Sequence, residues 1–364
     1  MAKSKIKEFV YHMFDFYHYI YIYLHEVRYI KAQKKLWKDV ILTKEQEKEL
    51  QAVFGKKTSN KWHRLYQSYT GEFNKDYFPE ILFSTKLEPI LCPRGICEVL
   101  QDKGLIGVLY HSVPELRLPK TVIVNCSGIF YDGNRNIINK ETAADLVYEW
   151  SKRKRFVIKP TVGTHSGAGV VIGKQDAYNS SEEILTLFHG YKKNFIVQEY
   201  IINSKELRAL YDNSLNTIRI MTYILEDKLY HAPLILRIGK GGNEVDNVGI
   251  GGLFVGLSDD GYLKKEAFTR KGEGYCVHPD SRIRFEGYPI TGIDKIIECA
   301  FACHKKTPHT KFISWDFTFD ENNVPVLIEA NLLGHSSWLP QAASGVSTFG
   351  SNTNKMLDKI RVRS

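Results

Sequence analysis

The 364-residue chain lacks several features that would settle its class at once. No hydrophobic run approaches the roughly 18 residues that cross a bilayer, so no membrane-spanning helix is expected. No secretory leader is visible, because the basic start is followed by a stretch broken by His12, Asp15 and His18. There is no GxGxxG and no glycine loop ending in Gly-Lys-Ser/Thr, which excludes the usual dinucleotide and P-loop fingerprints. The six cysteines, at 92, 97, 126, 276, 299 and 303, lack the paired spacing of a zinc site. They are expected to be free and buried, as in a reducing cytosol. Internal repeats and low-complexity linkers are also absent.

What is present first is an uneven charge. The net charge is +9, and residues 1–75 carry 15 Lys/Arg against 8 Asp/Glu, so most of the excess sits at one end. Nine of the 21 residues from Phe9 to Tyr29 are aromatic. Ile6, Phe9, Met13, Phe16, Ile20, Tyr23, Val27 and Ile30 follow a 3,4 spacing, which predicts one helical stripe. Lys31, Lys34, Lys35 and Lys38 follow. Two readings stay open for residues 1–40: a helix docked on its own body or on a twin in a homodimer, or a helix lying on an anionic membrane surface. Nothing downstream supports a nucleic-acid partner.

The stretch FISWDFTFDENNVPVLIEANLLG reads as a β-hairpin, with strands over 313–319 and 324–332 around Asp320-Glu321-Asn322-Asn323. A turn of two or four residues sets Asp316 opposite Leu327 and puts Asp316, Glu329 and Asn331 on one face. Two carboxylates among apolar neighbours need a cation. Mg²⁺ suits the all-oxygen set, and pairing with Arg or Lys from elsewhere is the alternative. A second segment, RFVIKP, is a short strand ending in Lys159. It runs into TVGTHSGAGVVIG, with glycines at 163, 167, 169 and 173. Glycines let backbone N–H groups turn onto an anion, and a lysine adds a point charge. A third, FIVQEYI over 195–201, is another β-run, with Glu206 seven residues past Glu199.

The order of lysine strand, glycine loop, apolar hinge and late Asp/Glu-x-Asn hairpin resembles the ATP-grasp superfamily over roughly residues 150–345. The resemblance implies an α+β ATP-grasp fold behind a helical, aromatic-rich N-terminal region. It implies that Lys159 contacts the α- and β-phosphates and that the loop of Gly163, Thr164, His165, Ser166, Gly167 and Gly169 closes over them. The hinge Gln198, Glu199, Tyr200 and Ile201 would take adenine, Glu206 the ribose, and Asp316, Glu329 and Asn331 the Mg²⁺, in two ions. The chain looks most like the branch associated with sugar transfer and surface polysaccharide, on NTIRIMT (216–222), PLILRIGKGGNEVDNVGIGGLFVG (233–256) and EANLLG followed by WLPQ.

The expected domains are 1–54 (helical, basic), 55–150 (mixed α/β), 151–197 (lid) and 198–364 (metal-bearing subdomain). Arg219 and Arg237 fall on strands before and after the Glu226-Asp227-Lys228 turn, and a symmetric hairpin brings them to one face. Arginine grips carboxylate and phosphate bidentately, so this pair, with Lys240 and Asn247, is assigned to the substrate side. The expected reaction is ATP-dependent joining of a carboxylate to an amine, through an acyl phosphate, in polysaccharide assembly. The alternatives are a kinase acting on a hydroxyl and a degenerate ATP sensor. The expected location is cytoplasmic, at the inner face of the membrane if residues 1–40 bind there.

Overall fold

The computed structural model describes residues 2–56, 58–163 and 168–362, with side chains from residue 16 onward. Short apolar runs broken by turn residues build two antiparallel sheets. The smaller sheet has six strands: β1 (Thr121–Cys126), β2 (Ile129–Asp132), β3 (Ile137–Ile138), β4 (Phe156–Pro160), β5 (Val171–Gly173) and β6 (Phe195–Glu199). Their order is β3-β2-β1-β6-β4-β5. Side chains of β4 alternate. Phe156 and Ile158 are buried with Val147, Ile184 and Phe188 of the two helices that cover one face. Val157 and Lys159 face the other way, into a cleft. The covering helices are Lys140–Ser151 and Ser181–Tyr191, and the first is capped by Asn139, whose side chain accepts from the Thr142 amide at 2.7 Å.

The larger sheet holds β7 (Thr217–Leu225), β8 (Lys228–His231), β9 (Leu234–Ile238), β10 (Leu253–Leu257), β11 (Leu263–Phe268), β12 (Gly274–Tyr275), β13 (Phe312–Phe319) and β14 (Pro325–Asn331). The order is β12-β11-β10-β9-β7-β13-β14, with β8 on β7. On one face Ile218, Ile220, Leu236, Val255, Trp315 and Phe317 pack with Phe83, Leu87, Tyr110 and the helix Ile293–Lys306. On the other, Ile235, Phe254 and Phe268 pack with Trp62, Tyr66, Tyr69 and Trp338. Thr217, Arg219, Arg237 and Asp316 share that second face and line the cleft.

Two expectations on organisation need correction. The boundary at 150/151 falls inside a sheet: β1 pairs with β6, Ile123 opposite Val197. Val122, Ile123 and Val124 are all buried, and β1 is an interior strand with β2 on one edge and β6 on the other. The N-terminal stripe is also rotated. Ile30 is buried, but Phe16 is 61% and Tyr23 43% exposed. Glu26, Tyr29, Ile30 and Trp37 face the body instead, with Tyr29 stacked on Trp62 at 5.9 Å and the Trp37 indole donating to the Ile30 carbonyl at 2.8 Å. The C-terminal part of the helix is therefore docked on the protein's own body, whereas Ile6, Phe9 and Met13 lie outside the described side chains. The capping box predicted at Thr43 and Gln46 is formed. Of the cysteines, Cys92, Cys97, Cys299 and Cys303 are free and buried, Cys126 is half-buried and Cys276 is exposed. Among the described residues no helix is long and apolar enough to cross a membrane.

Candidate functional site

One cleft between the two sheets gathers most of the residues singled out in the sequence. Its walls include Lys159, Gln198, Glu199, Tyr200 and Ile201 from the small sheet and its hinge. The large sheet supplies Arg219, Arg237, Asp316, Glu329 and Asn331, and the loop between β9 and β10 supplies Asn247.

At the hinge, β6 is fixed by its neighbours. The Glu199 carboxylate accepts from Arg117 at 2.9 Å and from the Lys120 amide at 2.7 Å. The Arg155 guanidinium stacks 3.9 Å over the Tyr200 ring. The Gln198 side chain donates to the Pro119 carbonyl at 3.4 Å. The amides of Glu199 and Tyr200 are bonded to the Lys120 and Arg155 carbonyls. Lys159 has its ammonium pKa lowered to about 8. Burial is the main cause; Glu329 pulls the value up and Lys103 pushes it down. Gly163 and Gly169 have φ of +71° and +75°, which suits glycine, and Gly169 lies against Pro160. Thr164, His165, Ser166 and Gly167 lie outside the described residues.

The hairpin register differs from the expectation. The turn holds an odd number of residues, because Phe319 pairs with Pro325, and a bulge follows between Asp316 and Phe317. Asp316 thus faces Glu329 rather than Leu327, and Ser314 faces Asn331. The two shifts together leave Asp316, Glu329 and Asn331 on one face, and the Asn331 amide donates to Asp316 at 3.5 Å.

Their charges are met by side chains. Arg219 grips Asp316 bidentately, 2.8 Å from each oxygen, and Arg237 Nη2 stands 3.2 Å from Asp316 Oδ2. Burial pushes the Asp316 pKa up, but the two guanidiniums outweigh it and hold the carboxyl below its usual range. Lys103 Nζ lies 2.9 Å from Glu329. Among the described residues no three His, Cys, Asp or Glu side chains cluster as a metal site. Two carboxylates and an amide on one face still fit Mg²⁺ in donor chemistry, since hard oxygen donors are what it takes. A bound ion would share Asp316 with the arginines and Glu329 with Lys103.

Arg219 and Arg237 do meet on one face, but not as a symmetric pair. The tight turn with Leu225 opposite Lys228 offsets the pair, and a one-residue shift at Ala232–Pro233 then sets Arg219 opposite Ile235 and Arg237 opposite Thr217, which puts both on one face. Asp246 accepts from Thr217 and lies 3.5 Å from Arg237. Asn247 accepts from the Gly249 amide at 2.7 Å and shapes the loop that follows.

Two assigned residues lie elsewhere. Glu206 starts the helix Lys205–Leu210, and its carboxylate accepts from the Thr291 amide and hydroxyl at 2.8 and 2.7 Å. It does not line the cleft. Lys240 donates to the Tyr275 hydroxyl at 3.2 Å and sits over that ring, outside the cleft. Asp246, from the same segment as Lys240 and Asn247, does line the cleft, and Lys103 and Arg270 reach it without any motif around them. The loop Gly334–Trp338 closes the far end, tied down by two buried glutamates. Glu88 accepts from the His335 amide, and Glu80 from the Ser337 amide, both at 3.1 Å.

Two gripping sheets, a lysine strand, a hinge and an oxygen-donor hairpin define an ATP-grasp fold. The chain belongs to the family described as sugar-transfer associated ATP-grasp, whose profile matches residues 82–356. No curated protein matches. Among solved structures, the ADP complex of N5-carboxyaminoimidazole ribonucleotide synthetase is 13% identical at a TM-score of 0.40, and the match covers 66% of this chain and 47% of that one. The chain thus spans about half the length of that protein. The D-Ala:D-Ser ligase VanG from Enterococcus faecalis is 14% identical, with a TM-score of 0.42 and coverage of 76% and 62%. D-Cycloserine synthetase DcsG is 12% identical, with a TM-score of 0.43 and coverage of 74% and 72%.

Proposed function

We propose that the protein is an ATP-dependent ligase joining a carboxylate to an amine, acting on a sugar acid or amino acid in cell-surface polysaccharide assembly. The carrying observation is the single cleft with a hinge at one end and Arg219, Arg237 and Asp316 at the other. Adenine would sit against Gln198–Ile201, with the Ile201 amide for its edge, since the Glu199 and Tyr200 amides are already bonded. Lys159 and Lys103 would hold phosphates. Asp316, Glu329 and Asn331 would hold Mg²⁺ in two ions, which neutralises charge on the phosphates as they separate.

In the first step an acceptor carboxylate oxygen attacks the γ-phosphorus. The bond to the β-phosphate bridging oxygen breaks, and ADP leaves with the electron pair. Arg219 and Arg237 suit the equatorial oxygens of the transferring group, where preorganised charge contributes most. In the second step the amine attacks the acyl carbon, phosphate leaves and the nitrogen loses a proton. The test is incubation with Mg-ATP and candidate acids in hydroxylamine. Hydroxamate formation is expected. ATP consumption with a phosphate ester and no hydroxamate would convert the reading to a hydroxyl kinase.

The N-terminal helix offers a contact surface beside this chemistry. Phe16, Tyr17, Tyr21 and Leu24 are exposed, and Lys31, Lys34, Lys35 and Lys38 are exposed beyond them. An aromatic strip next to a lysine cluster is complementary to an anionic lipid surface, and that occupant is the one proposed. This would hold the enzyme at the inner face of the membrane.

A further inference from the structure

The sheet face bearing Asp316 and its arginines continues to another basic group at the far end of the cleft. Arg237 of β9 is in register with Phe254 of β10, and Phe254 with Phe268 of β11. Arg270 follows Phe268 by two residues and lines the cleft with Val248, Trp338 and Leu339. Two strand spacings put Phe268 roughly 10 Å from Arg237, and Arg270 lies two residues beyond it, past the end of β11.

Arg270 is held from behind by the N-terminal helical region. Its guanidinium lies 4.9 Å over the Tyr29 ring, and its carbonyl accepts from the Tyr69 hydroxyl at 3.2 Å. The next turn is clamped too: Gly272, at φ +82°, lies so close to Leu36 that a Cβ would meet its Cδ2 at 2.4 Å. Buried Glu26 lies near enough to feel the Arg270 charge, which opposes the upward push of burial on its carboxyl pKa. One donor of the guanidinium serves the Tyr29 hydroxyl, and a stacked ring uses none of the others, which leaves part of the five-donor fork for an anion.

We propose that Arg270 anchors a second anionic group of the acceptor, so that the substrate is a sugar acid carrying a phosphate across the ring from its reacting carboxylate. This rests on the ligase reading above. The reacting carboxylate would meet Arg219 and Arg237, and the phosphate would meet Arg270. A hexuronate with an anomeric phosphate places its anions on opposite sides of one ring, which matches two cationic positions along one wall. The apolar edge of Trp338 and Leu339 lines the same end.

The test is calorimetric titration of the full-length protein, loaded with Mg-ADP, with D-glucuronate 1-phosphate and with D-glucuronate. The phosphorylated acid should bind at least tenfold tighter. Arg270→Gln should abolish that preference while leaving ADP affinity unchanged, and Arg270→Lys should restore part of it. Equal affinity of the two acids for the wild type overturns the proposal without recourse to any variant, as does a preference that survives in R270Q. Hydroxamate formation without the phosphate preference removes the anchor alone. The preference without hydroxamate removes the ligase chemistry and leaves the anchor.

Discussion

Asp316→Asn removes one negative charge from between two guanidiniums. Asp316 is 1% exposed, and the side chains of Arg219 and Arg237 are 14% and 15% exposed. Deleting one partner of a buried ion pair leaves the other uncompensated and costs about 3–5 kcal/mol. The Lys103–Glu329 pair differs, because the Glu329 side chain is 29% exposed. Glu329→Gln should therefore cost about 1 kcal/mol or less. Both variants should lose Mg-supported ATP turnover, but only D316N should melt several degrees lower. In EDTA, the non-hydrolysable ATP analogue AMP-PNP should bind D316N more tightly than wild type, since its terminal phosphate would meet two arginines freed of their counter-ion. Calorimetry and thermal denaturation together decide this. A D316N protein as stable as wild type would show that Asp316 is not the counter-ion of the arginines. Wild-type turnover in E329Q would remove Glu329 from the metal site.

The remaining predictions concern the lysines. Lys159, with a pKa of about 8, is charged below that value and neutral above it. ATP affinity should therefore be highest below pH 8 and fall as pH rises through it, and K159R should abolish this limb. A limb that persists in K159R would assign the titration to another group. At low salt the wild type should co-sediment with vesicles of phosphatidylserine and phosphatidylcholine, and reversing Lys31, Lys34, Lys35 and Lys38 to Glu should release it, at roughly 1 kcal/mol per lysine. Failure of the wild type to sediment, with dimer formation in solution, would give the aromatic strip to a second copy.

That Lys159 and the hinge share one cleft was legible because their signals are local. Lys159 is one residue from the end of a short strand, and the hinge follows another, so strand alternation alone places both. The late hairpin was legible in face but not in register. An odd turn and a bulge each move the pairing, and neither is written in Asp320–Asn323. Spacing failed at Glu206, where a helix turns the carboxylate to Thr291 instead of to the cleft. It failed at Lys240 because Tyr275, brought alongside by another strand, takes its ammonium. Lys103 and Arg270 depend on contacts distant in sequence, which no window of residues contains.

That dependence changes how the N-terminal region should be perturbed. The residues that carry the family resemblance all lie beyond residue 150, so on sequence alone residues 1–42 look dispensable to the cleft. In the structure, Tyr29 carries Arg270, Leu36 buttresses Gly272, and Ile30 and Trp37 share a core with Trp62 and Trp338. Burying a large apolar side chain contributes about 1.5–3 kcal/mol, so deleting this group would remove several such terms at once. A truncation at Thr43 would confound any loss of vesicle binding with collapse of the cleft around Arg270 and Trp338. The exposed lysines avoid this because they lie outside that core. The proposed surface and acceptor contacts thus draw on different residues of the same helical segment: the docked side holds Arg270, and the exposed lysines would be the ones to meet lipid.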